Sequence, residues 1–155
     1  MDSGISFDKI KSDFFIRKIF DNINENKKFR IIKYNKAIQN RLNISINDFK
    51  KYSQTYTSIE LEIIPVENER IFFDNFSERD KPYYHIYIND DKKEFKDSSI
   101  FNFGNVTKIK LKIDYQIKSF KRLFSDCTFI ESISFKKFYR NNITDMSFMF
   151  YDCSS

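Results

Sequence analysis

The chain has 155 residues, which is enough for one domain with a sizeable hydrophobic core. It carries 27 basic against 22 acidic residues, a formal net charge of +5, and it is rich in aromatic residues but has only two Gly and two Pro. This composition excludes a disordered or collagen-like chain, and the sequence contains no apolar run of the roughly 18 residues that a membrane span requires.

The first residues, Met1 to Asp8, lack the basic region and apolar stretch of a secretory signal. We therefore expect a cytoplasmic protein with no membrane association. Cys127 and Cys153 are expected to be reduced core thiols, because they occupy equivalent positions of an internal repeat. With a single histidine the sequence lacks the ligands of a structural zinc site, so we expect neither a metal nor a cofactor.

Residues 1–50 are predicted to form a helical segment. Apolar residues recur at three- and four-residue spacing over 7–24 and again over 27–42, and each stretch therefore predicts an amphipathic helix. The second stretch contains six Lys or Arg and no acidic residue. Its basic face is either merely solvated or a docking surface for an acidic partner.

Between residues 51 and 105 the hydrophobic period changes from helical to alternating. Ile59, Leu61 and Ile63 alternate with Glu60 and Glu62, a pattern that predicts a strand with one wet face. Further strands are predicted at 71–73 and 83–88, which makes the region a small, mostly antiparallel sheet. We expect this sheet to cap the apolar end of the repeats that follow it.

The residues needed for catalysis are missing from the sequence. Gly4 and Gly104 stand alone, so there is no glycine-rich phosphate loop, and no nucleophile elbow is present. His85 lies among tyrosines in a predicted strand, where a structural histidine is favoured over a catalytic base. We therefore expect no enzymatic activity and no catalytic residue.

Residues 106–155 repeat themselves. Residues 117–127, moved forward by 26 positions, fall on residues 143–153, and the apolar positions, an aspartate and a cysteine coincide. An apolar-x-x-apolar-x-apolar pattern at 106–111 recurs at 130–135. A period in the twenties is typical of a solenoid, in which each unit supplies one short strand and one short helix.

The stretch Asn142-Ile-Thr-Asp-Met-Ser-Phe-Met-Phe-Tyr-Asp-Cys-Ser-Ser155 resembles the repeat of the BspA-like leucine-rich proteins, which occur in bacterial surface proteins and large protist families. In that repeat a Val/Ile-Thr-Asp/Asn-Met-Ser-x-Met-Phe-x-x-Cys-x-Ser segment precedes a Leu-x-x-Leu-x-Leu strand. The resemblance implies a leucine-rich-repeat solenoid that binds other macromolecules without catalysis. The predicted fold is therefore α+β, with N-terminal helices, a small antiparallel sheet and then the first repeats of a leucine-rich-like solenoid.

Polar residues of the two repeat strands form the predicted partner-binding surface. Because side chains alternate across a strand, the polar residues between the apolar ones share the outward face. They are Lys108, Lys110 and Lys112 and, at an offset of 24, Ser132, Ser134 and Lys136. The resemblance implies that this is the concave face, the usual partner surface of leucine-rich solenoids, and its lysines favour an acidic partner. The alternative is a merely solvated outer face.

The N-terminal segment carries a second resemblance. Ser12-Asp-Phe-Phe-Ile-Arg-Lys-Ile-Phe-Asp-Asn-Ile23, followed by the basic stretch at 29–42, is similar to the helical spacing of an F-box. F-box proteins recruit substrates to a ubiquitin ligase through an adaptor subunit and often place leucine-rich repeats downstream. The resemblance implies that five apolar residues bind such an adaptor: Phe14, Phe15, Ile19, Phe20 and Ile32.

These patterns leave three functional interpretations. The first is a non-catalytic protein–protein interaction module of the BspA-like type. The second is an F-box-like substrate adaptor of a ubiquitin ligase. The third is a nucleic-acid-binding module, which is indicated only by aromatic residues interleaved with lysines.

The last residues predict an uncovered end. Met146 and Phe150 match Phe120 and Phe124 of the preceding copy, but no residue after Ser155 is present to cover them. Solenoids need a cap at each end. We therefore expect the region 106–155 to be the opening of a longer repeat array.

Overall fold

The structure, a computed structural model, describes residues 7–67, 71–73, 75–96, 99–100 and 106–153. It divides the chain into two compact units, Met1–Gln54 and Thr55–Ser155. The first unit is helical and the second contains a sheet, so the α+β prediction is confirmed. The predicted regions 51–105 and 106–155 fall almost wholly within the second unit.

Short helices make up the first unit. A 3-10 helix at Phe7–Lys9 precedes α1 (Asp13–Asp21), α2 (Glu25–Ile32), α3 (Lys36–Arg41) and α4 (Ile46–Tyr56). Ser12, Asn24 and Asn35 accept hydrogen bonds from first-turn N–H groups of α1, α2 and α3. The helix α4, which was not predicted from the sequence, begins at a reciprocal pair of hydrogen bonds between Ser45 and Asp48.

The predicted helix over 27–42 is wrong as a single element. Residues 33–35 separate α2 from α3, because the Asn35 side chain accepts the Ile38 N–H at 3.0 Å and so starts a new helix. The Gln39 amide closes the gap by donating to Ile32 O at 2.8 Å and Lys33 O at 3.1 Å. The predicted helix over 7–24 is also shorter, since α1 begins only after the Ser12 cap.

Five side chains form the buried core of the first unit: Ile16, Phe20, Phe29, Ile32 and Ile38. Ile16 and Phe20 are one helical turn apart, so only a single stripe of α1 faces this core. Burying a side chain of this size contributes on the order of 1.5–3 kcal/mol. The remaining apolar residues of α1 lie on its exposed side.

A four-stranded antiparallel sheet is the framework of the second unit. The strands of the whole unit, in chain order, are β1 (Ile59–Pro65), β2 (Ile71–Phe72), β3 (Tyr84–Ile88), β4 (Ser99–Ile100), β5 (Ile109–Ile113) and β6 (Ile130–Lys137). A 3-10 helix at Lys81–Tyr83 precedes β3. The large sheet has the order β3-β5-β1-β6, and β2 pairs separately with β4. The strand β1 therefore lies between β5 and β6, the two strands predicted to belong to successive repeats. The strands β1 and β3, from the region predicted to cap the repeats, and the predicted repeat strands β5 and β6 therefore form one sheet.

One face of this sheet is buried. The β1 residues Ile59, Leu61 and Ile63 are opposite Ile113, Leu111 and Ile109 of β5, and all six are inaccessible to solvent. Residues 117–129 contribute Phe120, Phe124 and Phe129 to the same core. Because side chains alternate along a strand, the polar residues of β1 and β5 lie on the opposite face.

Arg140 is a buried charged residue that fastens the chain after β6 to the core. Its guanidinium donates to the carbonyl oxygens of Asp114, at 3.0 Å, and Ile117, and to Asn142 Oδ1 at 3.0 Å. Burial lowers the pKa of Arg140, and the negative charge of Asp114 partly offsets that effect. Nothing in the sequence pattern marks this arginine as a core residue.

Candidate interaction surfaces

The outer face of the sheet, meaning its solvent-exposed side, carries the six residues predicted to bind a partner. Lys108, Lys110 and Lys112 lie at or along β5, and Ser132, Ser134 and Lys136 lie along β6. The two rows are not neighbours, because β1 runs between them with Glu60 and Glu62 on the same face. The outer face therefore has a basic, an acidic and a polar row on three successive strands.

Acidic side chains pair with most of these lysines. Lys136 Nζ lies 2.9 Å from Glu62 Oε1, Lys110 Nζ 3.8 Å from Glu60 Oε2, and Lys108 Nζ 2.5 Å from Asp90 Oδ2. The hydrogen bond that Lys108 donates to Asp90 raises the pKa of Lys108. Exposed ion pairs of this kind contribute little to stability, so carboxylates of a partner can replace the internal ones at small cost.

A β-bulge in β6 brings one more lysine onto the outer face. Phe135 is opposite Leu61 whereas Lys137 is opposite Glu60, so Lys136 is the extra residue between them. Lys137 Nζ lies 3.7 Å from Glu60 Oε1. Simple alternation assigns Lys137 to the buried face, and sequence reasoning therefore missed it.

His85 stands opposite Lys112 at the edge of the outer face. Its ring is held at both nitrogens, with Nδ1 2.8 Å from Glu94 Oε1 and Nε2 3.2 Å from Asp114 Oδ2. Burial acts to lower the pKa of His85, but the two carboxylates outweigh this effect and the pKa is raised. The ring therefore links the turn after β3 to the end of β5.

The apolar residues predicted to bind an adaptor separate into two groups. Phe14 and Phe15 are 63% and 62% exposed, with their rings in edge contact at 5.8 Å, and Ile19 is 37% exposed. These three residues are called the α1 stripe below. Phe20 and Ile32 lie instead in the core of the first unit, so their side chains do not reach the surface that a partner would contact. The structure corrects the prediction for these two residues.

Residues 117–127 and 143–153, called the first and second turn segments, lie side by side in parallel register. Phe120 N–H donates to Asp145 O, Arg122 N–H to Ser147 O, Phe124 N–H to Met149 O and Asp126 N–H to Tyr151 O, at 2.7, 3.1, 2.9 and 2.8 Å. Each of these four bonds joins residues 25 positions apart, and in the other direction Thr144 N–H donates to Lys118 O at 2.7 Å. Equivalent residues of the 26-residue sequence repeat therefore stay in step along the whole pair.

The two turn segments share one backbone conformation. Arg122 and Asp126 have φ angles of 55° and 59°, and the residues 26 positions later, Phe148 and Asp152, both have 55°. Non-glycine residues at positive φ cannot continue an α-helix. Each segment is therefore a series of turns, which corrects the short helix predicted for every repeat.

The two cysteines also occupy equivalent places in the turn segments. Neither forms a disulfide; Cys127 is buried and Cys153 is half-buried. The Cys153 thiol donates to Phe124 O at 2.6 Å, a carbonyl of the other segment. This side chain therefore adds a further contact between the paired segments.

No protein-family model, curated protein or solved structure matches this chain. Among the residues that the structure describes, no helix is long and apolar enough to cross a bilayer, and no group of three or more potential metal ligands converges. The case for function therefore rests on the surfaces described above.

Proposed function

We propose that this protein is a non-catalytic protein–protein interaction module built from BspA-like, leucine-rich-type units. The observation that carries the proposal is the in-register pairing of the two turn segments. Stacking at a constant sequence offset is how solenoid proteins build an extended binding surface. The order of parts agrees with this interpretation, because β5 precedes the first turn segment and β6 precedes the second.

The outer face of the sheet is the proposed partner surface. Its basic residues are Lys108, Lys110, Lys112, Lys136 and Lys137, and its acidic residues within ion-pairing distance of them are Glu60, Glu62 and Asp90. Among these eight residues the basic ones exceed the acidic ones by two. We infer a partner that presents carboxylates to this face, where Lys112 has no ion pair among the described residues. The strands fix the backbone positions of these residues, so no backbone ordering is needed when a partner binds.

Affinity capture with charge-reversed variants tests this surface. K108E/K110E/K112E should lose a partner that the unaltered chain recovers, because the basic row becomes acidic while the core is untouched. The matched control is K27E/K33E/K36E, which makes the same charge change at exposed lysines of the first unit. Recovery of one protein by the unaltered chain and the control, but not by the sheet variant, supports the proposal. Equal recovery by all three chains rejects the outer face.

A second candidate function is that of an F-box-like adaptor of a ubiquitin ligase, and the exposed α1 stripe favours it. Phe14, Phe15 and Ile19 leave apolar surface open on a helix whose other stripe is already buried. The unit Met1–Gln54 contains 12 basic and 6 acidic residues, so a partner that covers this stripe would be acidic.

Substitution within the α1 stripe separates the two candidates. F14S/F15S should abolish recovery of a ligase adaptor subunit, because both apolar anchors are lost, whereas K108E/K110E/K112E should still recover it. If the unaltered chain recovers no adaptor subunit under these conditions, the adaptor function is rejected and the outer-face proposal is unaffected.

A further inference from the structure

The free edge of the second turn segment has the same donors that pair the two segments with each other. The first segment donates through the N–H groups of Phe120, Arg122, Phe124 and Asp126. Their equivalents, 26 positions later, are the N–H groups of Met146, Phe148, Phe150 and Asp152. Among the described residues no acceptor lies against these four N–H groups. Because the two segments share their positive-φ positions, the four donors repeat the arrangement that already binds one row of carbonyl oxygens.

Four backbone donors lie along this edge, which restricts what can occupy it. The carbonyl oxygens of Asp145, Ser147, Met149 and Tyr151 already accept from the first segment. Two identical edges brought face to face by a two-fold axis would set N–H groups against N–H groups, so a symmetric dimer through this edge is excluded. The occupant must instead present carbonyl oxygens at alternate residues.

The apolar side chains on this edge are also uncovered. Phe120 and Phe124 are fully buried, but their equivalents Met146 and Phe150 are 46% and 50% exposed. Phe148 and Tyr151 are 55% exposed beside them. Phe124 is buried because the Phe150 ring stacks on it with centroids 5.7 Å apart. Phe150 therefore offers the next ring of the same stack.

The opposite edge of the paired turn segments is formed by the first segment, and it is not fully open. Asn75 Nδ2 donates to Ser125 O at 2.7 Å, so the carbonyl edge of the first segment is partly covered from within the molecule. A second copy of this chain therefore offers that edge only in part for head-to-tail pairing. The occupant is better supplied by an additional segment of the same kind.

We propose that the free edge of residues 143–153 is a docking surface for a further polypeptide segment of the same 26-residue turn pattern, laid parallel and in register. Its carbonyl oxygens accept from Met146, Phe148, Phe150 and Asp152, and its own aromatic residue stacks on Phe150. The inference rests on the hydrogen-bond geometry of the turn segments and not on the outer face being a partner surface. Either idea can therefore fail without the other.

Amide hydrogen exchange, resolved by NMR on the full chain and on an extended chain, tests this proposal. The extension places a second copy of residues 130–153 directly after Ser155, which keeps the 26-residue spacing. We expect exchange at the four amides to slow by at least about tenfold, because each gains a hydrogen bond protected from water. A second extension, with residues 104–127 in the same place, tests the edge with an independent sequence of the same pattern.

The control extension carries Ser at the copied positions of Ile143, Met146, Met149 and Phe150, and it should leave the four amides unprotected. Unchanged exchange with both unaltered extensions overturns the proposal. If the serine control slows amide exchange as much as the unaltered extensions do, the apolar residues of the turn pattern are not what the edge recognises, and the proposal is overturned. Slow exchange of the four amides in the unextended chain, shown by sedimentation to be monomeric, means that the edge is already covered and overturns the proposal. Slowing that depends on protein concentration without any extension identifies a second copy as the occupant and also overturns the proposal.

Discussion

The rings of Phe124 and Phe150 stack with centroids 5.7 Å apart and planes 12° apart, although the two residues are 26 positions apart in the chain. They occupy equivalent places in the two turn segments, which hydrogen bonds hold in register. Phe150 covers Phe124, which is fully buried, while Phe150 itself remains half exposed. Two side chains at matching positions of the sequence pattern are thus in direct contact.

This asymmetry predicts unequal costs for the same substitution at the two positions. Phe124→Ala should lower the free energy of unfolding by about 3–5 kcal/mol, because it leaves a cavity in the core. Phe150→Ala should lower it by only about 1–2 kcal/mol, since half of the ring is already in contact with water. Urea unfolding followed by circular dichroism measures both values. Equal losses would contradict the different burial of the two rings.

Removing the acidic row of the outer face should strengthen the binding of an acidic ligand. In E60Q/E62Q the lysines of β5 and β6 lose their internal carboxylate partners, and the face becomes more positive. Titration with a synthetic decaglutamate peptide, followed by NMR shifts of β5 and β6, should give tighter binding to this variant than to the unaltered chain. K108E/K110E/K112E should bind more weakly than either. The same affinity for all three chains would show that these charges do not act on a ligand.

His85 predicts a pH dependence of stability in which the protein weakens as the pH rises. Its pKa in the folded chain is raised above the ordinary value of about 6.5 by Glu94 and Asp114, although burial opposes this. Protonated His85 therefore contributes stability that is fully present below that ordinary value and lost as the pH rises through the folded pKa.

The free energy of unfolding should accordingly fall as the pH rises above the ordinary histidine pKa of about 6.5, and His85→Gln should abolish that fall. Because the chain contains a single histidine, no other imidazole obscures the measurement. An identical pH profile in the variant would show that the two carboxylates do not stabilise the imidazolium ion.

Arg140→Lys should destabilise the second unit although the charge is kept. The guanidinium donates in three directions, to Asp114 O, Ile117 O and Asn142 Oδ1, and a lysine ammonium cannot match that planar arrangement. We expect a loss of roughly 1–3 kcal/mol in the free energy of unfolding, as for buried groups left without a partner. Lys136→Arg, a substitution of an exposed cation on the outer face, is the control and should change stability by less than about 0.5 kcal/mol.

Local patterns predicted the elements that local contacts determine. The alternation of Ile59, Leu61 and Ile63 with glutamates correctly predicted the one-sided strand β1. The apolar spacing also predicted α1, in which Ile16 and Phe20 face the core. These features depend on side chains that are close in sequence, and their period can be read directly.

The features that sequence reasoning missed depend on distant contacts or on single side chains. The position of β1 between β5 and β6 results from strand pairing across many residues, which no local period encodes. This order places Glu60 and Glu62 among the predicted lysines, so the basic surface became a mixed one. Asn35 splits the predicted second helix because its side chain competes for a backbone N–H, a choice that the hydrophobic period does not reveal.

Lysine footprinting tests the proposed partner surface most directly. The chain is methylated reductively with and without the protein that it captures, and the modified lysines are identified by mass spectrometry. A partner on the outer face should protect Lys110, Lys112 and Lys136, while Lys27, Lys33 and Lys36 of the first unit keep their reactivity. Protection confined to the lysines of the first unit, with Lys110, Lys112 and Lys136 fully reactive, would contradict the account and place the partner on the helical unit instead.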